Sequence, residues 1–303
     1  MKPAPILFPF LLAALLGACA TPAETDTSIQ GGTPIVIGTQ HVIHSEIYGT
    51  DRIINVQVPP PYGDTSQPPN VLYVLDGGLA QDFQHIAGLG QLASLSWTME
   101  PMLVVGIESV DRQNELTPPP ANPGYPAEFP TAGEAAKFRA FLQTEVVPFI
   151  AANYQTGGRT AVMGESLAGL FVVDTFLNAP DMFDDYVGIS PSLWWDDRAL
   201  ARSAPARLAA NASVGHRLYL TMGDEGEAMQ AGLDELVAAL GVVSTDGFDW
   251  TYVDRRTTAT HATIYHAAAL DALRWLFATV PYDYGPAPWY MTEGGAPPVS
   301  QPD

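Results

Sequence analysis

Three kinds of residue, in one order along this chain, could together break an acyl bond. Ser166 lies in Ala161-Val162-Met163-Gly164-Glu165-Ser166-Leu167-Ala168-Gly169-Leu170-Phe171, which reads as an apolar strand, a knot of small residues around one hydroxyl, and an apolar helix. A serine held on such a sharp strand-to-helix turn is presented as a nucleophile, and the turn needs small neighbours because bulky ones would collide. A hydroxyl attacks poorly at neutral pH unless a base takes its proton and an acid orients that base. His261 is the expected base, because it follows the last predicted strand and precedes the last predicted helix. The competing His266 falls inside that helix. The acid is expected in the loop after the strand Leu218–Met222, which offers Asp224, Glu225 and Glu227. Spacing alone does not choose among the three. The oxyanion formed on attack needs backbone N–H donors. Leu167, next after the serine, supplies one, and Gly78, in a tight turn after an earlier strand, can supply the other.

These residues need a scaffold that brings them to one rim. His41 to Val58 alternates apolar and polar residues around Gly49-Thr50-Asp51, the pattern of an edge β-hairpin. Val71–Leu75 and Met102–Ile107 are continuous apolar runs, as for strands buried on both faces. Further strands are predicted at the elbow, at Tyr186–Ser190, at Leu218–Met222 and at Phe248–Val253. Helices are predicted at about Ala80–Leu92, Glu134–Asn153 (bent at Pro148), from the elbow to Asn178, at Met229–Leu240 and at Tyr265–Ala278. Asp111 to Thr131 is Pro-rich and reads as a long irregular rim loop. Strands alternating with helices predict a mainly parallel central sheet with an antiparallel N-terminal edge hairpin and helices on both faces, an α/β-hydrolase fold. In such sheets ligands bind beyond the carboxyl ends of the strands. Asp76-Gly77-Gly78, Ser166, Ser190-Pro191, Asp224 to Glu227 and the loop of His261 all fall there.

The 303 residues are 47% hydrophobic and carry a net charge of −20. That charge excludes nucleic acid as a natural partner. There is no P-loop, no dinucleotide fingerprint and no clustered metal-ligand spacing, so no cofactor and no metal are expected. Residues 1–18 are similar to a bacterial lipoprotein signal: Lys2, an apolar run from Ile6 to Leu16, then Leu16-Gly17-Ala18-Cys19, with the only cysteine of the chain. The resemblance implies a lipid anchor on Cys19, a location in the bacterial cell envelope on the periplasmic side, and no other contact with the membrane. Residues 19–33 read as a tether, residues 34–284 as the folded domain, and residues 285–303 as an irregular Pro/Gly-rich tail.

Four stretches, in order, carry a resemblance to a known family. They are Val71-Leu72-Tyr73-Val74-Leu75-Asp76-Gly77, Met163-Gly164-Glu165-Ser166-Leu167-Ala168-Gly169, Ser190-Pro191-Ser192-Leu193-Trp194-Trp195-Asp196, and His261-Ala262-Thr263 ahead of an Ala/Leu-rich helix. A weaker fifth is Val105-Gly106-Ile107 with Arg112 and Leu116-Thr117-Pro118. The chain resembles the esterase-D-like esterases of the α/β-hydrolase superfamily, nearest the branch that cleaves enterobactin-type siderophore trilactones. The resemblance implies a serine ester hydrolase with Ser166 as nucleophile, His261 as base, Glu225 as acid with Glu227 as the alternative, and oxyanion donors near Gly78 and Leu167. It also implies Arg112 as a substrate contact and Trp194 and Trp195 as pocket or core residues. The substrate would be a small-molecule ester. Two other readings share these residues: a carbohydrate acetyl or feruloyl esterase, and a surface lipoprotein that keeps the fold and binds a ligand without cleaving it.

Overall fold

Strand β3 (Asn70–Leu75) shows how the core is built. All six of its residues are buried, and successive side chains point to opposite faces. Val71, Tyr73 and Leu75 join one hydrophobic cluster, and Leu72 and Val74 join another. The sheet therefore separates two cores, and each needs a helical cover. In this computed structural model the described residues are 33–60, 67–210, 215–242, 248–280 and 285–294. Those from Ile37 onward belong to one compact unit.

The sheet has eight strands in the order β1-β2-β4-β3-β5-β6-β7-β8. The hairpin β1 (Thr39–Ser45) and β2 (Thr50–Gln57) is antiparallel, and β2 also pairs antiparallel with β4 (Met102–Ile107). The rest, β3, β5 (Thr160–Glu165), β6 (Asp185–Ile189), β7 (Arg217–Met222) and β8 (Asp249–Asp254), run parallel. This is the expected α/β-hydrolase arrangement. On one face, helix α1 (Phe83–Leu95) packs Phe83 and Ile86 with Tyr265, Ala268 and Leu273 from the last helix.

The rim segment 111–131 is not wholly irregular. It holds two short helices, α2 (Arg112–Leu116), capped by the Asp111 side chain on Asn114 N–H, and α3 (Tyr125–Glu128). The long helix expected at 134–153 forms as α4 (Ala135–Phe141), a π-helical turn (Leu142–Val146) and α5 (Val147–Asn153). Pro148 has no N–H and its ring crowds the carbonyl one turn back, and the chain widens into the π-helical turn just before it. The elbow helix α6 (Leu167–Asn178) is buried from Ala168 to Leu177, as a helix apolar all round must be. The sequence reading gave no element between Asp197 and Ala210, but residues Trp195–Ala210 form α7. Its start is left-handed, at Asp196, Asp197 and Arg198, which non-glycine residues resist by roughly 1–2 kcal/mol each. Helices α8 (Glu227–Leu240) and α9 (Ile264–Phe277) complete the set.

The lipoprotein-like residues 1–18, Cys19 and the tether up to Gly32 lie outside the described residues, as do 295–303 of the tail. No helix among the described residues is long and apolar enough to cross a membrane.

One buried ion pair ties the edge hairpin to the rim. Arg52 Nη1 donates to Glu115 Oε1 at 2.7 Å, with both side chains 3% exposed. Glu115 Oε2 also accepts Val110 N–H, and Arg52 Nη2 donates to the Glu108 carbonyl. Removing one partner strands the other charge away from water, at a cost of about 3–5 kcal/mol. Arg52→Met is therefore expected to lower the Tm by about 10 °C in a thermal melt followed by circular dichroism. An unchanged Tm would contradict the importance of this pair.

Candidate active site

The elbow follows from close packing. A Cβ on Gly164 would lie 2.6 Å from the Ala168 backbone, and one on Gly169 would lie 2.8 Å from the Ile189 carbonyl oxygen. No larger residue fits where β5 turns into α6. Ser166 itself has φ 61° and ψ −118°, a strained region that persists only where surrounding contacts over-determine it. Its N–H donates to Ile189 O at 3.0 Å, and its carbonyl accepts from Leu170 N–H at 2.9 Å and Ser192 N–H at 3.0 Å. The Ser166 hydroxyl lies 3.4 Å from the Ser192 hydroxyl. Leu167 N–H is the first amide of α6. The first amides of a helix have no intrahelical acceptor and sit at its positive end.

Ser166, Leu167, Ser192, Glu225 and His261 line one cleft of about 340 Å³, with Arg112, Phe129, Trp194 and Met229 forming its remaining walls. His261 Nδ1 lies 2.7 Å from Glu225 Oε2. The opposite carboxylate oxygen accepts from the Ser190 hydroxyl and, at 3.4 Å, from Gly223 N–H. Glu225 is thus held at both oxygens, with a side chain only 2% exposed. Its burial would raise its pKa, but the bonds from His261 and Ser190 outweigh that and leave the carboxyl below its usual range. The hydrogen bond that His261 donates to Glu225 in turn lifts the imidazole above its ordinary value, against its partial burial.

Of the three acids in this loop, the geometry brings Glu225 to His261. Asp224 is exposed, with its N–H on the Ala259 carbonyl, and Glu227 is exposed in the first turn of α8. His266 meets His85, with ring nitrogens 3.3 Å apart. Arg112 reaches the cleft while its Nε donates to both oxygens of Asp76 at 2.9 Å. The two tryptophans divide: Trp194 walls the cleft and Trp195 is buried in the core. Gly78 stands at the end of β3 as expected, but its N–H is given to the Gln81 side chain at 2.9 Å. It can serve an oxyanion only when Gln81 releases it.

Four further residues shape this site. Ser190 anchors Glu225, Ser192 faces Ser166, and Phe129 and Met229 complete the walls. Ser190-Pro191-Ser192 had a visible signal, two hydroxyls at a predicted strand end. Phe129 had none, because its position depends on how the rim loop folds. Among the described residues no group of three or more His, Cys, Asp or Glu could hold a metal ion.

Behind the elbow lies a second carboxyl group. Burial pushes Glu165 up to about 7, and its Oε1 has no hydrogen-bond partner among the described residues. Asp82 is pushed up to about 6 by burial and by the nearby Asp76. An unfolded Glu titrates near 4.3. Between that pH and about 7 the folded chain holds a proton that the unfolded chain has lost, so stability from this group falls as pH rises through the interval and stays low above it. Glu165→Gln is therefore expected to raise the Tm relative to wild type at pH 8 and to lose that advantage at pH 4. A gain of the same size at both pH values would contradict it.

The fold is that of the α/β-hydrolases. Residues 45–261 match the model of the family described as "Putative esterase", and the chain belongs to that esterase family. Among curated proteins, a siderophore enterobactin esterase from Emericella nidulans is 33% identical over 102 residues, 31% of this chain and 34% of that protein. The ferri-bacillibactin esterase BesA from Bacillus subtilis is 34% identical over 109 residues, 32% of this chain and 38% of that protein. The chain thus spans between a third and two fifths of the length of these relatives. Among solved structures, the BES protein from Bacillus cereus superposes with a TM-score of 0.72 at 25% identity, covering 84% of this chain and 100% of that one. The siderophore hydrolase EstA from Aspergillus nidulans shares the fold, with a TM-score of 0.67 at 21% identity over 82% of this chain and 98% of that one.

Proposed function

We propose that this protein is a serine ester hydrolase in which Ser166 is the nucleophile, His261 the general base and Glu225 the acid that orients the base. The observation that carries this is the 2.7 Å contact between His261 Nδ1 and a buried Glu225, in the cleft that also contains Ser166. A carboxylate on Nδ1 keeps that nitrogen protonated and leaves Nε2 free to accept a proton. His261 takes the Ser166 proton as the hydroxyl attacks the ester carbonyl. Leu167 N–H stabilises the oxyanion. The alcohol leaves with the proton from His261, and water, activated by the same imidazole, releases the acid and restores Ser166.

The substrate is a small carboxylic ester of the siderophore type. Phe129, Trp194 and Met229 offer flat apolar walls and Arg112 a donor for substrate oxygens, and relatives of the chain are named for siderophore esters. We also propose a cell-envelope location with a lipid anchor on Cys19, a reading supported by the likeness of residues 1–19 to a lipoprotein leader. An ester panel containing enterobactin, p-nitrophenyl acetate and a feruloyl sugar tests the reading. Preferred turnover of enterobactin supports it, preferred turnover of the feruloyl sugar moves the substrate to carbohydrate esters, and turnover of none overturns hydrolysis.

A further inference from the structure

The start of α7 is the most strained run among the described residues. Asp196, Asp197 and Arg198 have φ of 49°, 53° and 65° with ψ of 52°, 38° and 28°, a turn of left-handed helix built from L-residues. Asp and Asn tolerate this region singly; Arg does not favour it, and three in succession are rare. Strain of this kind persists only where other contacts hold it.

The contacts that hold it come from the rim. The buried Asp196 carboxylate accepts Ala121 N–H and Asn122 N–H, one on each oxygen, both at 2.9 Å. Asn122 Nδ2 donates to Asp197 at 2.7 Å, and Arg198 Nε donates to Glu235 of α8 at 3.0 Å. Just before the strained run, Trp195 Nε1 donates to the Pro118 carbonyl at 3.0 Å. From this anchor the rim runs on through α3 to Phe129, whose ring lies 5.1 Å from that of Trp195 and 6.1 Å from that of Trp194. Phe129 and Trp194 are the aromatic walls of the cleft beside Ser166.

We propose that Asp196 is a positioning residue that sets acyl-group specificity: its carboxylate, aimed by the left-handed turn, clamps the rim at Ala121 and Asn122 and thereby holds Phe129 beside Trp194, the two tilted rings forming one aromatic wall against which a planar aromatic acyl group can pack. The specificity half of this rests on the proposed esterase activity, while the clamp stands on the hydrogen bonds alone. A left-handed turn is suited to the task because it brings both carboxylate oxygens to two successive amides of a segment distant in sequence. A right-handed start to α7 would carry the Asp196 side chain elsewhere.

Asp196→Asn tests this without disturbing the turn, since Asn tolerates the left-handed region as well as Asp does but offers one acceptor oxygen and no charge. Two readouts are taken on the full folded domain. Hydrogen exchange at the Ala121 and Asn122 amides is expected to accelerate about tenfold or more, the effect of losing one charge-assisted bond, with the amides of β3 to β7 unaffected. The ratio of kcat/KM for p-nitrophenyl benzoate over p-nitrophenyl acetate is expected to fall about tenfold, mainly through KM for the benzoate. Unchanged exchange at those two amides overturns the clamp. Accelerated exchange with an unchanged benzoate-to-acetate ratio overturns the specificity role. If the wild-type protein cleaves neither p-nitrophenyl ester, the specificity half fails, the enterobactin assay decides the esterase reading separately, and the exchange measurement still decides the clamp.

Discussion

Ser166→Ala is expected to lower kcat/KM for p-nitrophenyl acetate by about 10⁴-fold or more while the Tm stays equal to or above that of wild type. The loss is large because the residues act as a unit: without the hydroxyl, His261 and Glu225 have no nucleophile to activate. What remains is the background help of the oxyanion donors and of binding. The fold survives because the strained backbone of Ser166 is held by main-chain bonds to Ile189, Leu170 and Ser192, none of which uses the side chain. Equal turnover by wild type and variant would remove Ser166 from the chemistry and leave a ligand-binding protein with a hydrolase fold.

Glu225→Gln is the second large effect, expected to cost about 10³–10⁴-fold in kcat. A Gln amide can turn its NH₂ toward His261 Nδ1, which then becomes the acceptor and leaves the proton on the nitrogen meant to act as base. The same variant changes the pH profile in a direction that can be read. Only neutral His261 can accept the Ser166 proton, so activity falls as pH drops through the imidazole pKa. In the wild type, the hydrogen bond His261 makes to Glu225 raises that pKa above the ordinary 6.5, so half-maximal activity is expected above pH 6.5. In Glu225→Gln the raising partner is gone, and the acid limb of the residual activity moves to lower pH. An acid limb at the same pH in both proteins would show that Glu225 does not act on His261.

Much of this site could be read in the chain because it is local chemistry. The elbow needs small residues at fixed offsets from Ser166, and those offsets are visible in one strand-turn-helix stretch. The strand ends could be placed because Val71–Leu75 and Met102–Ile107 are buried on both faces, which leaves continuous apolar runs. His261 followed from its place between the last strand and the last helix. By spacing alone Glu225 is one of three acids; the family resemblance favours it, and the fold is what brings it to His261. What distinguishes it is Ser190, which comes from the end of a neighbouring strand and grips its second oxygen. No spacing within residues 224–227 encodes that contact.

The start of α7 escaped for a related reason. A left-handed turn at Asp196–Arg198 contradicts local preference, and it is stabilised by amides 75 and 74 residues away. The π-helical turn before Pro148 is the milder case: the proline announced a disturbance, but the chain absorbs it one turn earlier. Gly78 was readable as a tight turn at a strand end, yet the competition of Gln81 for its N–H appears only in three dimensions.

The most direct test of the central claim is mass spectrometry of the protein after reaction with a fluorophosphonate, which adds covalently to an activated serine. One adduct per chain is expected, located on Ser166 by peptide mapping, formed far more slowly in Glu225→Gln and absent in Ser166→Ala. No adduct on the folded wild-type protein, or an adduct on another residue that persists in Ser166→Ala, would contradict it.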